Sequence, residues 1–256
     1  ASTVLLPFGG RTQGSETQVS VQKLPVEGYT ETASIMAYGY NPFLTSWSPY
    51  HGAAYAVVEA CAKVVAAGAE FGGMRFSYQE YFERMHTARS WGKPLAALLG
   101  ALRMQVELGL PSIGGKDSMS GTFQQINVPP MLMAFGITTV DARRVISTDL
   151  KEAGHTLYLL KHTPKANRMP DTAALRTLWN YASERIAAGR IVAGYAVGFG
   201  GVAEALAKMA FGNGIGAEVE LPEEALFAYD YGSIVVESTV ELDAPFAVRL
   251  GRTTAD

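Results

Sequence analysis

The first half of the chain alternates short apolar runs with stretches of helical periodicity. Ser48 followed by Pro49 is an N-cap with proline in the first turn, and Gly68 is placed to end the helix in a left-handed conformation. Gly109 marks a second helix end in the same way. The pattern predicts strands over residues 4–9, 33–40 and 128–141, and helices over residues 49–67 and 93–108.

The second half continues the alternation after a polar stretch over residues 141–155, where the periodicity is lost. This stretch predicts a domain boundary near residues 146–153. The following pattern predicts strands over residues 156–162, 191–199, 216–221, 232–238 and 246–252, with helices from Asp171 to Gly189 and from Gly200 to Phe211. Such alternation favours layered α+β or α/β folds.

Composition narrows the class of protein. The chain has 256 residues, of which 48% are hydrophobic and 18% charged, and this excludes a disordered or fibrous protein. A net charge of −3 argues against nucleic-acid binding through a general positive field. Cys61 is the one cysteine, so no disulfide framework forms within the chain. No apolar run is long enough to predict a membrane span.

A glycine-rich segment offers the strongest local chemistry. Residues 114–121 read GGKDSMSG, in which backbone amides, Lys116, Asp117 and the hydroxyls of Ser118 and Ser120 are groups that bind phosphate and Mg²⁺. The spacing is not that of a Walker loop. From composition alone, a surface turn with solvated charges is the favoured interpretation, because the same residue types favour turns.

Two further segments carry candidate groups. Glu59 lies among small apolar residues and suits either a metal ligand or an ordinary ion pair with Lys63, four residues later. Gly200 and Gly201 lead from a predicted strand into a helix N-terminus, which favours either an anion site or close helix–strand packing. Residues 79–93, which include Arg84 and Arg89, suit either a phosphorylated ligand or a solvated surface.

Taken together, these segments resemble phosphoribosylformylglycinamidine synthase, the glutamine-dependent ligase of de novo purine synthesis, in the long single-chain form of clostridia and their relatives. The resemblance runs over nearly the whole chain. Its most specific part is GGKDSMSGTF, and further parts are YHGAAYAVVEACAKVVAAGA, QEYFER, INVPPMLMAFGI and AYAVGFGGVAEALAKMAFGNGIG.

The resemblance implies the fold and the place of this chain in a larger enzyme. It implies a ferredoxin-like α+β subdomain over residues 1–147 and a C-terminal α/β subdomain over residues 148–256, both like aminoimidazole ribonucleotide synthetase. The chain would be the second synthetase half of a longer cytoplasmic enzyme. Its partners would be the first half and the glutaminase domain, its substrates a phosphorylated ribonucleotide and ATP, and its cofactor Mg²⁺.

Carried over residue by residue, the resemblance indicates an altered nucleotide site. Gly114, Gly115, Lys116, Asp117, Ser118 and Ser120 match the family, as do Gly200 and Gly201. Glu59 matches a helix carboxylate that binds Mg²⁺. Lys63 stands where many relatives have an asparagine ligand, and Tyr195, Ala196 and Phe199 replace polar residues of a His-Asp motif and its following aspartate. We therefore expect Lys63 to pair with Glu59 in place of the metal.

Three functional hypotheses remain at this point. The chain contributes its Lys116–Ser120 segment to a catalytic ligase, or it is a non-catalytic scaffold half that completes the cleft of the first half. The third is another member of the aminoimidazole ribonucleotide synthetase superfamily, such as selenophosphate synthetase, which the lack of a reactive N-terminal cysteine disfavours. We expect the isolated chain to lack synthase activity and, because its apolar sheet face would be exposed, to form a homodimer.

Overall fold

The computed structural model describes residues 2–255, which form two five-stranded sheets with helices between and around them. The strands are β1 (Phe8–Gly9), β2 (Ser15–Glu16), β3 (Ser20–Lys23), β4 (Thr32–Gly39), β5 (Arg75–Tyr81), β6 (Ser112–Lys116), β7 (Thr122–Phe123), β8 (Ile126–Asn127), β9 (Met131–Asp141), β10 (Thr156–Leu160), β11 (Ile191–Ala196), β12 (Gly216–Val219), β13 (Ile234–Ser238) and β14 (Ala247–Thr254). The helices are α1 (Pro42–Trp47), α2 (Pro49–Ala66), α3 (Ala88–Leu108), α4 (Thr172–Ala187), α5 (Gly201–Phe211) and α6 (Glu223–Leu226).

The first sheet has the strand order β3-β4-β9-β5-β6 and is antiparallel except for the β5–β6 pair. One face packs on the helix layer of α2 and α3, and its side chains are buried. The other face carries Met36 beside Ile137 and Tyr38 beside Phe135, and three of these four side chains are at least 40% exposed. The first sheet therefore has a buried face and an open, partly apolar face.

Helix α2 lies at the centre of the molecule, which explains its alanine-rich composition. A side chain at Gly39 in β4 would place its Cβ 2.1 Å from the Ala56 carbonyl, and one at Gly194 in β11 would place it 2.6 Å from the Ala66 carbonyl. Both sheets thus approach the α2 backbone through glycine. Ser48 caps the helix by accepting from the His51 amide, and Gly68 follows it with φ at 102°, as the sequence predicts.

The second sheet has the order β11-β13-β10-β14-β12, and all its neighbouring strands are antiparallel. The N-terminal β1–β2 hairpin docks on α5, where the Ser15 hydroxyl donates to the Lys208 carbonyl. The mixed α and β class predicted from the sequence is confirmed. The boundary between residues 147 and 148 stays a prediction, and residues 1 and 256 of the two predicted ranges lie outside the described residues. No helix in the described part of the chain is long and apolar enough to cross a membrane.

Several predicted boundaries are wrong for identifiable reasons. The strand expected over residues 4–9 is reduced to Phe8–Gly9. Helix α3 begins at Ala88 rather than Lys93, because Thr87 and Ser90 form a capping box one turn earlier. Strand β9 begins only at Met131, since Pro129 and Pro130 have no amide hydrogen to donate to a ladder.

Candidate functional site

The segment 112–121 is an edge strand that continues into a loop. In the parallel β5–β6 pair, Gln79 lies opposite Lys116. The same register continues past the end of β6, because the Ser118 amide donates to the Glu80 carbonyl at 3.1 Å and the Phe82 amide donates to the Ser118 carbonyl at 2.8 Å. Asp117 is therefore the direct neighbour of Glu80. Successive residues of a strand point to opposite faces, so Lys116 and Asp117 lie on different sides of the sheet.

The paired glycines belong to this strand and not to the loop, which is a correction to the sequence-based boundary. A Cβ on Gly115 would lie 2.7 Å from the Tyr78 carbonyl, whereas a Cβ on Gly114 would meet no atom within 4 Å. The requirement for glycine at position 115 thus comes from close approach to β5. The loop proper starts at Asp117 and holds the Ser118 and Ser120 hydroxyls 3.0 Å apart.

The side chains of this segment are open to solvent. Lys116, Asp117 and Ser120 are exposed and Ser118 is half-buried. Within residues 2–255, neither Lys116 nor Asp117 has an ion-pair partner. No hydrogen bond or ion pair among these residues connects the segment with Glu59 or with Gly200 and Gly201. The candidate residues therefore form two separate groups.

The Glu59 group lies between the two sheets. Glu59 Oε1 is 2.8 Å from Lys63 Nζ, and Glu59 Oε2 accepts from the Tyr40 amide at 3.0 Å. Lys63 also donates to the Tyr38 carbonyl at 2.9 Å and lies over the Tyr38 ring. Burial raises the pKa of Glu59, and Lys63 and the Tyr40 amide partly oppose that effect. The ion pair expected from the Glu59–Lys63 spacing is present.

This arrangement does not fit a Mg²⁺ ion at Glu59. Both carboxylate oxygens already have partners, and an ammonium group occupies the position beside Oε1. Among the residues that the structure describes, no group of three or more His, Cys, Asp or Glu side chains is arranged to hold a metal ion. Since Mg²⁺ requires oxygen ligands in octahedral geometry, Lys63 in this position excludes it.

Gly200 and Gly201 open α5, as the sequence predicts. Gly201 has φ at 69°, and a Cβ there would lie 2.4 Å from the Leu226 carbonyl, so both conformation and space require glycine. The Gly200 amide donates to Glu204 Oε2 at 2.7 Å. Burial opposes the charge of Glu204, but its bonds to Lys208 and to Gly200 outweigh burial and lower its pKa. An external anion at this helix N-terminus would compete with Glu204.

Three partly exposed aromatic side chains stack beside the start of α5. The Phe199 ring stacks on Phe43 at 5.2 Å and on Tyr229 at 5.6 Å, measured between ring centroids. Tyr195 is buried one strand residue from the end of β11. Phe199 stands at one of the positions where the resemblance implies a polar metal ligand, and Tyr195 and Ala196 at the other two offer no carboxylate.

Sequence reasoning missed Glu80. In β5 the buried positions are Phe76, Tyr78 and Glu80, so the alternation places a carboxylate on the apolar face of the sheet. Burial, reinforced by the negative charge of Asp117, raises the pKa of Glu80 to about 7. The signal available in the sequence was an acidic residue at an inward position of a period-2 strand.

A groove of about 510 Å³ lies where α1 meets α2, beside the start of α3 and residues 127–130. Arg89 and Lys93, both from the basic stretch 79–93, line it together with Trp47. Lys93 forms an ion pair with Glu83, whereas Arg89 is exposed. The basic stretch thus contributes to a polar groove rather than to either of the two groups above.

The fold and sequence comparisons define the class. Residues 146–245, which include most of the second sheet and its helices, match the family described as AIR synthase related protein, C-terminal domain. The thiamine monophosphate kinase of Aquifex aeolicus shares the fold over 88% of this chain and 87% of its own, with a TM-score of 0.62 at 15% identity.

Within this class the chain is similar to phosphoribosylformylglycinamidine synthase, and the resemblance seen in the sequence is confirmed. The PurL subunit of Thermoplasma acidophilum is 24% identical over the whole chain, and that of Thermus thermophilus is 30% identical over 73% of it. The Thermotoga maritima enzyme has the same fold over 99% of this chain, with a TM-score of 0.74 at 17% identity. The chain spans only 37%, 28% and 38% of these three proteins, respectively.

Proposed function

We propose that this chain is one synthetase half of a longer phosphoribosylformylglycinamidine synthase and serves there as a structural half. In that enzyme the reaction converts formylglycinamide ribonucleotide, glutamine and ATP to formylglycinamidine ribonucleotide. Supporting the assignment to such an enzyme, solved complexes of the similar Thermotoga maritima PurL protein contain ATP or formylglycinamide ribonucleotide, and that protein also occurs in a PurLQS assembly. The missing partners would be the first synthetase half and a glutaminase.

One observation favours a structural over a catalytic half: Lys63 lies 2.8 Å from Glu59, the residue that the resemblance implies as a metal ligand. Phosphoryl transfer from ATP depends on a divalent cation that neutralises the phosphate charge. The Lys63 ammonium group, which Glu59 and the Tyr38 carbonyl hold in place, supplies one positive charge. It cannot coordinate phosphate oxygens as a divalent metal ion does. This half therefore has an internal ion pair that joins α2 to the end of β4, and the ligase chemistry belongs to the other half.

Calorimetry with ADP and Mg²⁺ tests the structural role. The chain should show no Mg²⁺-dependent binding of ADP in the micromolar range. A parallel assay with ATP, formylglycinamide ribonucleotide and ammonium should release phosphate no faster than a blank without protein. Micromolar Mg²⁺-dependent ADP binding, or phosphate release at an ordinary enzymatic rate, would show that this half carries a working site.

A second candidate role is that the Lys116–Ser120 segment supplies phosphate contacts to the cleft of the complete enzyme. It is favoured by the exposed, unpaired Lys116 and the two adjacent hydroxyls. In the full-length enzyme, Lys116→Ala should then lower kcat/KM at least tenfold while leaving the melting temperature unchanged, since the side chain makes no bond to any other residue that the structure describes. Unchanged kinetics would leave the segment as a surface strand edge.

A further inference from the structure

Four carboxylates are buried in the described part of the chain: Glu59, Glu80, Asp149 and Glu237. Three of them have donors on at least one carboxylate oxygen. Glu59 has Lys63 and the Tyr40 amide, Asp149 has Lys151 and Asn213, and Glu237 has His155 and the amides of Lys151 and Glu152. Each of these three carboxylates therefore has a donor beside it, which offsets part of the cost of burial.

Glu80 is the exception. Its residue surface is only 7% exposed, yet within residues 2–255 its carboxylate has no hydrogen bond and no ion-pair partner. The charge that acts on it is another negative one, Asp117. The strand register places these two residues side by side, because Gln79 pairs with Lys116 and the Ser118 amide bonds the Glu80 carbonyl.

Neighbours in adjacent strands have their side chains on the same face, and hydrogen-bonded strands lie about 4.8 Å apart. The Glu80 and Asp117 carboxylates therefore converge on the face of the first sheet that carries the helices, with Asp117 open to solvent. Lys116 lies on the opposite face and does not neutralise them. Glu80, a residue only 7% exposed, and the solvent-exposed Asp117 thus place two carboxylates together, and no positively charged partner for either lies within residues 2–255.

We propose that the Glu80–Asp117 pair binds a divalent cation of the Mg²⁺ or Mn²⁺ type. Such ions bind through one or two carboxylates and keep several waters, which matches a buried oxygen donor beside a solvent-exposed one at a sheet edge. The ion would enter from the side of Asp117 and fix the loop that carries Ser118 and Ser120. This site is separate from the Glu59 group and requires no nucleotide.

Mn²⁺ alone, titrated into the chain and followed by the electron paramagnetic resonance signal of the free ion, tests the site. One Mn²⁺ should bind per chain and should be displaced by Mg²⁺. Glu80→Gln and Asp117→Asn should each weaken binding at least tenfold. Glu83→Gln is the matched control, because Glu83 lies three residues after Glu80 and has Lys93 as its partner. This variant should bind Mn²⁺ with the affinity of the wild type.

Paramagnetic broadening of backbone amides locates the ion independently of any variant. The amides of Ser118 and Phe82, which bond across the pair, should broaden before those of Tyr40 and Lys63. No Mn²⁺ binding at millimolar concentration, or unchanged binding by Asp117→Asn, would overturn the proposal. Binding lost in Glu59→Gln instead, with broadening at Tyr40, would overturn both this proposal and the structural role assigned to the Glu59 group.

Discussion

At the scale of single residues, the Glu59–Lys63 pair is the most consequential contact, because its two side chains are 9% and 11% exposed. Lys63→Met leaves a buried carboxylate with no counter-charge, and the free energy of unfolding should fall by about 3 kcal/mol. The double variant Glu59→Gln, Lys63→Met should recover most of that loss. Urea denaturation of the wild type, the two single variants and the double variant gives the coupling free energy between Glu59 and Lys63. A coupling free energy below about 0.5 kcal/mol would mean that the pair behaves as a surface contact.

Glu80 makes stability depend on pH in a predictable direction. Its pKa rises from an ordinary 4.5 to about 7 in the folded chain, so the folded state holds the proton more tightly than the unfolded state. Wild-type stability should therefore fall as pH rises from 4.5 to 7. Glu80→Gln removes this dependence. In EDTA at pH 8, the free energy of unfolding of this variant should be about 1–2 kcal/mol larger than that of the wild type, a value reduced to account for screening by nearby solvent. At pH 4 the two proteins should unfold at the same urea concentration.

At the scale of elements, the contact between α2 and α3 depends on one glycine. A Cβ on Gly100 of α3 would lie 2.0 Å from the Tyr50 carbonyl of α2. Gly100→Ala should therefore separate the helices and cost about 2 kcal/mol or more, as overpacking does. Gly92→Ala is the matched control in the same helix, since a Cβ there meets nothing within 4 Å, and it should stabilise by about 0.5–1 kcal/mol. Thermal unfolding measures both effects. If the melting temperatures of the two variants shift in the same direction, the close contact at Gly100 is contradicted.

The sequence predicts such elements well where the signal is local. Ser48, Gly68 and Gly109 mark helix ends by capping and left-handed backbone, and the structure has all three. The Glu59–Lys63 pair follows from helical spacing. The position of Glu80 beside Asp117 does not follow in that way, because it depends on the register between two strands separated by all of α3.

At the scale of the whole molecule, the open face of the first sheet predicts self-association. Met36, Tyr38 and Ile137 are 40–51% exposed and lie together on β4 and β9. In a longer protein this face would be covered by a partner sheet, and in the isolated chain a second copy is the available cover. Sedimentation velocity should show a dimer at micromolar concentration.

Charge substitutions identify the face that forms the dimer. Met36→Lys together with Ile137→Lys places two like charges at directly opposed positions of β4 and β9. The dissociation constant of the dimer should therefore rise at least a hundredfold. The control is Leu98→Lys with Leu102→Lys, which makes the same kind of change on α3, where both leucines are also about half exposed. If the α3 variant becomes monomeric while the sheet variant stays dimeric, then α3 is the interface, and the sheet face would not be the surface through which this half meets its partner.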